Sequence, residues 1–509
     1  MVIAMLASAL TRFLRVKEFV QLTSPRKRLS YAHILPDGLI ADSVGCSVIH
    51  GAFDVWTGIW PGAVRRPAAG KRGARLHAAL VDRPGSCIRR LGGTRAGEIQ
   101  FTRFLRNGAV TATAMTEHAA ERTAARVAGR EVLVVQDTSE LALGGRRAKA
   151  NGYGPVGKGG ALRGLLLHAV LAVDAGTGAV LGLVDAPVRN RNGGKVKSRR
   201  SRTTAQKESQ RWLDGTARAG AVLAAARSIT GVSDRESDIY EHFVQCPPNM
   251  HLIVRACQNR RIEADDEEQT RLLFAHVDSL PEQGRFSVEI PAAPGRVART
   301  GELAVRFGRV ELRRPLHGAS DLPPTTTVSV VDVRETSATE GEKPIHWRLL
   351  TTHTITSLAD AQRIVGLYRR RWVIEEYFHT IKTAGFNVEQ ADIAEPGVMI
   401  KLVAAIAIAA VTVMQLVKGR DGTTDQSLLE AFEPADQPIL EAVSARLEGK
   451  TARQQNPHPK GSLAFAAWVI ARLGGWTGYY DKPGPKTMRR GLDDFQRIKY
   501  GSTLSIQNV

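Results

Sequence analysis

Acidic residues are in short supply in this 509-residue chain: 50 Asp and Glu stand against 70 Lys and Arg, a formal charge of +20. A surplus of that size predicts a polyanionic partner, nucleic acid first, although an Arg-rich composition unconnected with nucleic acid gives the same number. Cysteine is also scarce. Cys46, Cys87, Cys246 and Cys257 lie far apart with no C-x-x-C pair, which argues against a zinc site and a disulfide framework and fits a reducing cytoplasm. No apolar run approaches the roughly 20 residues that span a bilayer. The longest, Leu402 to Met414, carries Thr412 and predicts a buried helix. Met1 to Leu10 is apolar but follows no basic segment, so no secretory signal is expected. We therefore expect a cytoplasmic protein with no membrane partner.

What the chain does contain is an α/β pattern with carboxylates at strand ends. Residues 1–67 show no sustained periodicity and are expected to be poorly ordered; 68–125 turn helical and Arg-rich. Glu131 to Asp137 is a β-branched apolar run that predicts a buried strand with Asp137 at its C-terminal end. Leu165 to Asp174 and Ala179 to Val184 predict a hairpin beside it. Arg189 to Arg202 is a basic, Gly- and Ser-containing loop, either solvated surface or a DNA contact. A helix from about Lys207 to Arg227 leads to Ile229–Asp234, a second strand ending on an aspartate. Alternating runs between about residues 255 and 346 predict an all-β insertion, after which Trp347 to Thr352 returns as a strand.

A long helix is then expected from about Ser357, and it carries Tyr368, Arg371, Glu375 and Lys382. At about 100° per residue these four share an arc about 60° wide. A carboxylate flanked by cationic and phenolic donors on one face suits a metal ligand beside a phosphodiester backbone. The alternative is an amphipathic helix in which Arg371 and Glu375 simply form an i,i+4 pair. Glu376 falls about 80° from Tyr368 and off the cluster, so Glu375 is preferred. Asp238 is expected in the first turn of the helix after Asp234, where it would offset the helix dipole; Glu236 is the other competing carboxylate there. His168 is expected to be a hydrogen-bonded core histidine, and the spacing leaves the role of His379 open.

The Tyr368-x2-Arg371-x3-Glu375-x6-Lys382 pattern resembles the Y-R-E-K signature of IS4-family transposases. Asp137-Thr138-Ser139 resembles that family's first-aspartate segment, and Asp234-Arg235-Glu236-Ser237-Asp238-Ile239-Tyr240 its second, with Ser237 in place of alanine. Lys207-Glu208-Ser209 with Trp212 is similar to the helix before the second aspartate. The resemblance runs from about Ala68 to the C-terminus and is weaker in the N-terminal helices.

The resemblance implies an RNase H-like catalytic core interrupted by the all-β insertion and flanked by helical domains. Its divisions would be a DNA-end-recognition domain at 68–125, core at 126–254 and 347–420, insertion at 255–346 and a dimerisation region at 421–509. It implies a DDE transposase that cuts and pastes DNA through a hairpin intermediate, acting as a homodimer on paired inverted repeats and on target DNA. Asp137, Asp234 and Glu375 would hold two Mg²⁺ ions, with Mn²⁺ able to substitute. We take Asp137 as the bridging ligand, a division the residues themselves leave open. Tyr368, Arg371, Lys382, Trp347 and Arg255 would contact DNA, with Trp347 stacking on a flipped base. A stand-alone nuclease and a non-catalytic DNA-binding regulator are the competing functions. The intact acidic triad argues against the regulator.

Overall fold

The computed structural model of the chain describes residues 67–143, 151–191, 202–263, 271–290, 297–316, 321–337, 344–423, 426–479 and 482–507. The expectations for residues 1–66 and for the basic loop at 192–201 lie outside the described residues. Among the described residues four helices come first: α1 (Pro67–Asp82), α2 (Ile88–Gly92), α3 (Arg95–Arg106) and α4 (Ala112–Ala124). Thr94 and Thr111 begin α3 and α4 by accepting hydrogen bonds from the Gly97 and Ala114 amides, each satisfying an amide that has no partner within its helix.

Thirteen strands then build one large sheet among the described residues. They are β1 (Glu131–Ala142), β2 (Gly154–Val156), β3 (Leu162–Asp174), β4 (Val180–Asp185), β5 (Val188–Arg189), β6 (Ser228–Ser233), β7 (Met250–Arg255), β8 (Arg261–Ile262), β9 (Arg271–Leu272), β10 (Gly284–Ile290), β11 (Arg299–Arg313), β12 (Thr325–Glu335) and β13 (His346–Thr351). Among them lie α5 (Gln210–Val222), α6 (Tyr240–Val244) and α7 (Leu273–Ser279). After them come α8 (Leu358–Arg369), α9 (Val373–His379), α10 (Pro396–Gly419), α11 (Gln437–Leu447), α12 (Leu463–Leu473) and α13 (Pro485–Gln507).

The sheet runs β2-β3-β1-β6-β7-β13-β12-β11-β8-β9, with β4 and β5 on β3 and β10 on β11. β1–β6 and β6–β7 are parallel, while β3 and β13 run antiparallel to their neighbours. The expected hairpin of β3 and β4 is present. Val132 to Val135 are all buried because both faces of β1 are covered. Leu133 and Val135 join the core that includes α8, α9 and α10, which we call the front; Val132 and Val134 join a separate core with Ala219 and Leu223 on the α5 side, the back.

Three expectations need correction. β1 does not end at Asp137 but continues to Ala142, because Thr138 to Ala142 find partners from His168 back to Gly164 on the long β3. The segment at 255–346 is not all-β, since α7 lies within it, and its strands extend the core sheet through β12–β13–β7. Nor is the helix bearing Arg371 and Glu375 uniform: α8 tightens into a 3-10 turn at Arg370–Trp372, resumes as α9 and widens into a π turn at Thr380–Ala384.

α10 covers the front of the sheet. It is long and apolar enough to cross a membrane by length and composition, but most of it is buried inside the protein. Its buried residues include Thr412 and Gln415 as well as the expected apolar run, and Tyr377 of α9 donates a 2.6 Å hydrogen bond to its Ala407 carbonyl.

Candidate active site

Side chains alternate along a strand, so Asp137 shares the front face with Leu133 and Val135. The last parallel bridge between β1 and β6 pairs Val135 with Val232. Two residues beyond that bridge, Asp137 is still within β1 while Asp234 has just left β6, and the two carboxylates are close enough for the Asp234 charge to act on Asp137. Asp234 fulfils the expectation of a strand-end carboxylate: β6 stops at Ser233, and Asp234 caps a 3-10 turn by accepting from the Glu236 amide at 2.9 Å. Asp137 accepts from the Thr138 amide at 2.7 Å.

Glu375 arrives from above on α9, linked to the first aspartate by Arg371. That guanidinium lies 3.4 Å from Asp137 Oδ2 and 3.2 Å from Glu375 Oε1. The i,i+4 pair seen as the bland alternative in the sequence is therefore present, but it also reaches Asp137 within β1. Burial foremost, and then the neighbouring Asp234 charge, push the Asp137 carboxyl up to about 7; the Thr138 amide and Arg371 oppose that rise, and Glu375 adds to it.

Among the described residues no three His, Cys, Asp or Glu side chains are drawn together as a closed ligand group. The chemistry of the donors nonetheless fits a hard divalent ion, because all three carboxylates offer oxygen. Asp137, raised to about 7, is a carboxylate short of positive charge, and Arg371 supplies part of what is missing.

The other expected residues surround this centre. Tyr368 is buried, its ring lying 6.0 Å below the Arg371 guanidinium and 5.8 Å edge-on to Trp347, so it backs both side chains. Trp347 is only partly buried on β13. Arg255, at the end of β7, donates to the His346 carbonyl at 2.9 Å and so braces the residue before Trp347. Lys382 lies in the π turn 3.7 Å from Glu389, which accepts from the Ala142 amide at the far end of β1. His379 meets Thr383 at 2.9 Å.

The competing carboxylates are engaged elsewhere. Glu376 pairs with Lys418 of α10 at 2.5 Å. Asp238 is not in the first turn of α6, as expected, but precedes it. It accepts from the Cys257 and Gln258 amides at 2.8 and 2.7 Å and from Arg260 at 2.7 Å, since a fully buried carboxylate needs charge-assisted partners. Asp238→Ala should therefore leave the largely buried Arg260 guanidinium with a backbone carbonyl but no charge partner, and cost about 3–5 kcal/mol. Urea denaturation checks this, and an unchanged midpoint would rule the structural role out.

Sequence reasoning missed two residues. Arg211 of α5 donates to Thr138 Oγ1 at 2.6 Å and to Glu236 at 2.6 Å, bridging both aspartate segments. Its signal was the close spacing of Arg211, Trp212, Gly215 and Thr216 on one helical face. Trp372, 64% exposed beside Arg371, is an aromatic surface next to the acidic centre; a large apolar side chain within the Arg-rich turn was its signal. Residues 130–411, more than half of the chain, match the family described as the transposase DDE domain. They include Asp137, Asp234 and the helix that carries Glu375, and on that match the chain belongs to the DDE transposase family.

Proposed function

We propose that this chain is the transposase of an insertion sequence, similar to the IS4 family, and that Asp137, Asp234 and Glu375 are its catalytic carboxylates. The observation that carries this is the convergence of distant segments: Asp137 and Asp234 each lie two residues past the last bridge between the adjacent strands β1 and β6, and Arg371 ties the first to Glu375. A sheet order of β4-β3-β1-β6-β7, with β1, β6 and β7 parallel and β3 antiparallel, supports an RNase H-like core. DDE transposases generally use divalent metals, and Asp137, Asp234 and Glu375 would hold Mg²⁺ ions. When bound, such ions supply a deprotonated nucleophilic oxygen, stabilise the leaving oxygen and neutralise charge at phosphorus.

The remaining roles fall to side chains. Asp137, held within β1, and Asp234, held where β6 ends, set where the scissile phosphate must sit. Arg371 presents a fork that can pass from carboxylate oxygens to a phosphate oxygen, a geometry both acceptors share. Lys382 and Arg255 would hold backbone phosphates on either side. Trp347, with Tyr368 against its edge, offers a ring on which a base displaced by a hairpin bend can stack, worth about 1–3 kcal/mol. The proposed substrates are the element's terminal inverted repeats and its target DNA, engaged by a homodimer.

The test is Mg²⁺-dependent cleavage of a labelled duplex carrying the element's own flanking inverted repeat. The wild type should nick and form a hairpin. Glu375→Ala should bind that duplex with similar affinity but lose cleavage by about 10³-fold or more. Binding without cleavage by both proteins would overturn the catalytic assignment in favour of a regulator. Cleavage without any hairpin or joined product would favour the stand-alone nuclease.

A further inference from the structure

The back of the sheet beneath the acidic centre is polar where a core would ordinarily be apolar. Strand alternation turns Gln136 and Thr138, on either side of Asp137, away from the front and toward α5. There they meet His168 of β3, Thr216 of α5 and His242 of α6. Gln136, His168, Thr216 and His242 are all buried, so each hydrogen bond among them matters.

The directions of those bonds follow from chemistry. Arg211 can only donate, so Thr138 Oγ1 accepts from it at 2.6 Å, which leaves its own hydrogen free for His168 Nδ1, 2.8 Å away. His168 then carries its proton on Nε2, which faces Gln136 Oε1 at 3.3 Å. The Gln136 amide nitrogen donates to Thr216 Oγ1 at 2.9 Å, and the Thr216 hydroxyl donates to His242 Nε2 at 2.8 Å. His242 Nδ1 finally donates to the Ser237 carbonyl at 3.2 Å, a group that can only accept. With neutral imidazoles the obligate acceptor at Ser237 fixes every bond in turn back to Thr138, so the chain has one self-consistent direction. It requires both imidazoles to be neutral. Burial foremost holds His168 down at about 3 and His242 at about 4, which agrees.

Both ends of the chain meet the segment that carries the second aspartate, one through a side-chain bond from α5 and the other directly. Arg211 also donates to Glu236, and Ser237 follows it directly, while the middle of the chain flanks Asp137. α5 presses on this chain closely: a Cβ on Gly215 would lie 2.5 Å from Gln136 Oε1, and the Trp212 ring stands edge-on to His168 at 5.0 Å.

We propose that this one-directional chain, Arg211–Thr138–His168–Gln136–Thr216–His242–Ser237, sets the spacing of Asp137 and Asp234 where the pairing of β1 with β6 ends, with His168 and His242 as positioning residues. The proposal rests on the reading of those aspartates as a metal-binding pair. Its test has two independent arms on the full chain.

In the first arm, histidine-selective ¹⁵N labelling of the wild type, with single His→Gln variants for assignment, reads the tautomers. His168 should be protonated on Nε2 and His242 on Nδ1; the opposite tautomer at either ring would overturn the proposal whatever any variant does. In the second arm, Mn²⁺ alone is titrated into wild type, Thr216→Val and Thr216→Ser. Thr216→Val keeps the side-chain shape but can neither accept nor donate at the middle of the chain, so it should bind Mn²⁺ about tenfold more weakly. Thr216→Ser, which restores the hydroxyl, should return to within about twofold of wild type. A folded Thr216→Val protein with wild-type Mn²⁺ affinity, or no rescue by Thr216→Ser, would show the chain to be core packing only. Asp137→Ala separates the two claims: Mn²⁺ affinity unchanged in that variant would overturn the metal-site reading, while the tautomers would still decide the direction of the chain.

Discussion

Asp137→Asn is expected to make the metal-free protein more stable and to abolish its strand cleavage. Burial and the Asp234 charge raise the Asp137 carboxyl from 3.8 to about 7. Below about pH 4 both folded and unfolded chains hold the proton, and the site imposes no charge penalty. Between about pH 4 and 7 the unfolded chain has released the proton and the folded one retains it, so stability falls as pH rises. Above about pH 7 the folded carboxyl is ionised as well and the penalty is complete. Its ceiling is about 4 kcal/mol, from roughly three pKa units at about 1.4 kcal/mol each. Residual solvent access and loss of the Arg371 charge pair reduce what the substitution recovers, to about 1–2 kcal/mol at pH 8. Asparagine keeps the shape and an oxygen for the Thr138 amide, so little else changes. Thermal melts at pH 8 and pH 4 check this: a gain of about 1–2 °C at the higher pH should vanish at the lower one. Adding Mn²⁺ should raise the midpoint of the wild type and not that of the variant. A variant less stable than wild type at pH 8 without metal would mean that Asp137 is already fully compensated, which would remove the electrostatic argument for an ion there.

Such a site was partly legible before any coordinates, and the reasons differ residue by residue. Asp234 could be placed because Ile229 to Ser233 is a short apolar run closed by a turn, and its own capping bond is local. Asp137 could be found but its strand could not be measured, because Thr138 to Ala142 are strand only by virtue of distant partners, His168 back to Gly164, on β3. The same non-locality hid the continuity of the sheet: nothing within 255–346 shows that β12 will pair with β13 and β13 with β7. Helical spacing correctly brought Arg371 and Glu375 together. It failed to foresee the 3-10 and π turns, which rotate the stripe in opposite senses because one is tighter and the other wider than an α-helix. Asp238 was misplaced because a helix-dipole argument is local, whereas its real partners are Arg260 and two amides after β7. His168 was legible as a core histidine, but its connection to His242 runs through Gln136 and Thr216, from two further elements.

Arg371→Gln should separate metal binding from catalysis. In the metal-free protein the Arg371 guanidinium lies between Asp137 and Glu375 and competes with any cation for the same oxygens. Removing its charge should therefore tighten Mn²⁺ binding, by about tenfold for a gain of about 1.4 kcal/mol. Catalysis should move the other way, because a fork aimed at the phosphate stabilises charge that develops only in the reaction; its loss should slow cleavage by about 10²-fold or more. Arg371→Lys keeps the charge and loses the fork, so it should leave Mn²⁺ affinity near wild type while recovering only part of the cleavage rate. Isothermal titration with Mn²⁺ and single-turnover cleavage of the inverted-repeat duplex measure the two quantities on the same preparations. If Arg371 were only a structural strut under Tyr368 and Trp372, Arg371→Gln would loosen the carboxylates, and both quantities would fall together. Opposite movement is what distinguishes a phosphate-directed arginine from a strut, since packing loss has no route to tighter metal binding.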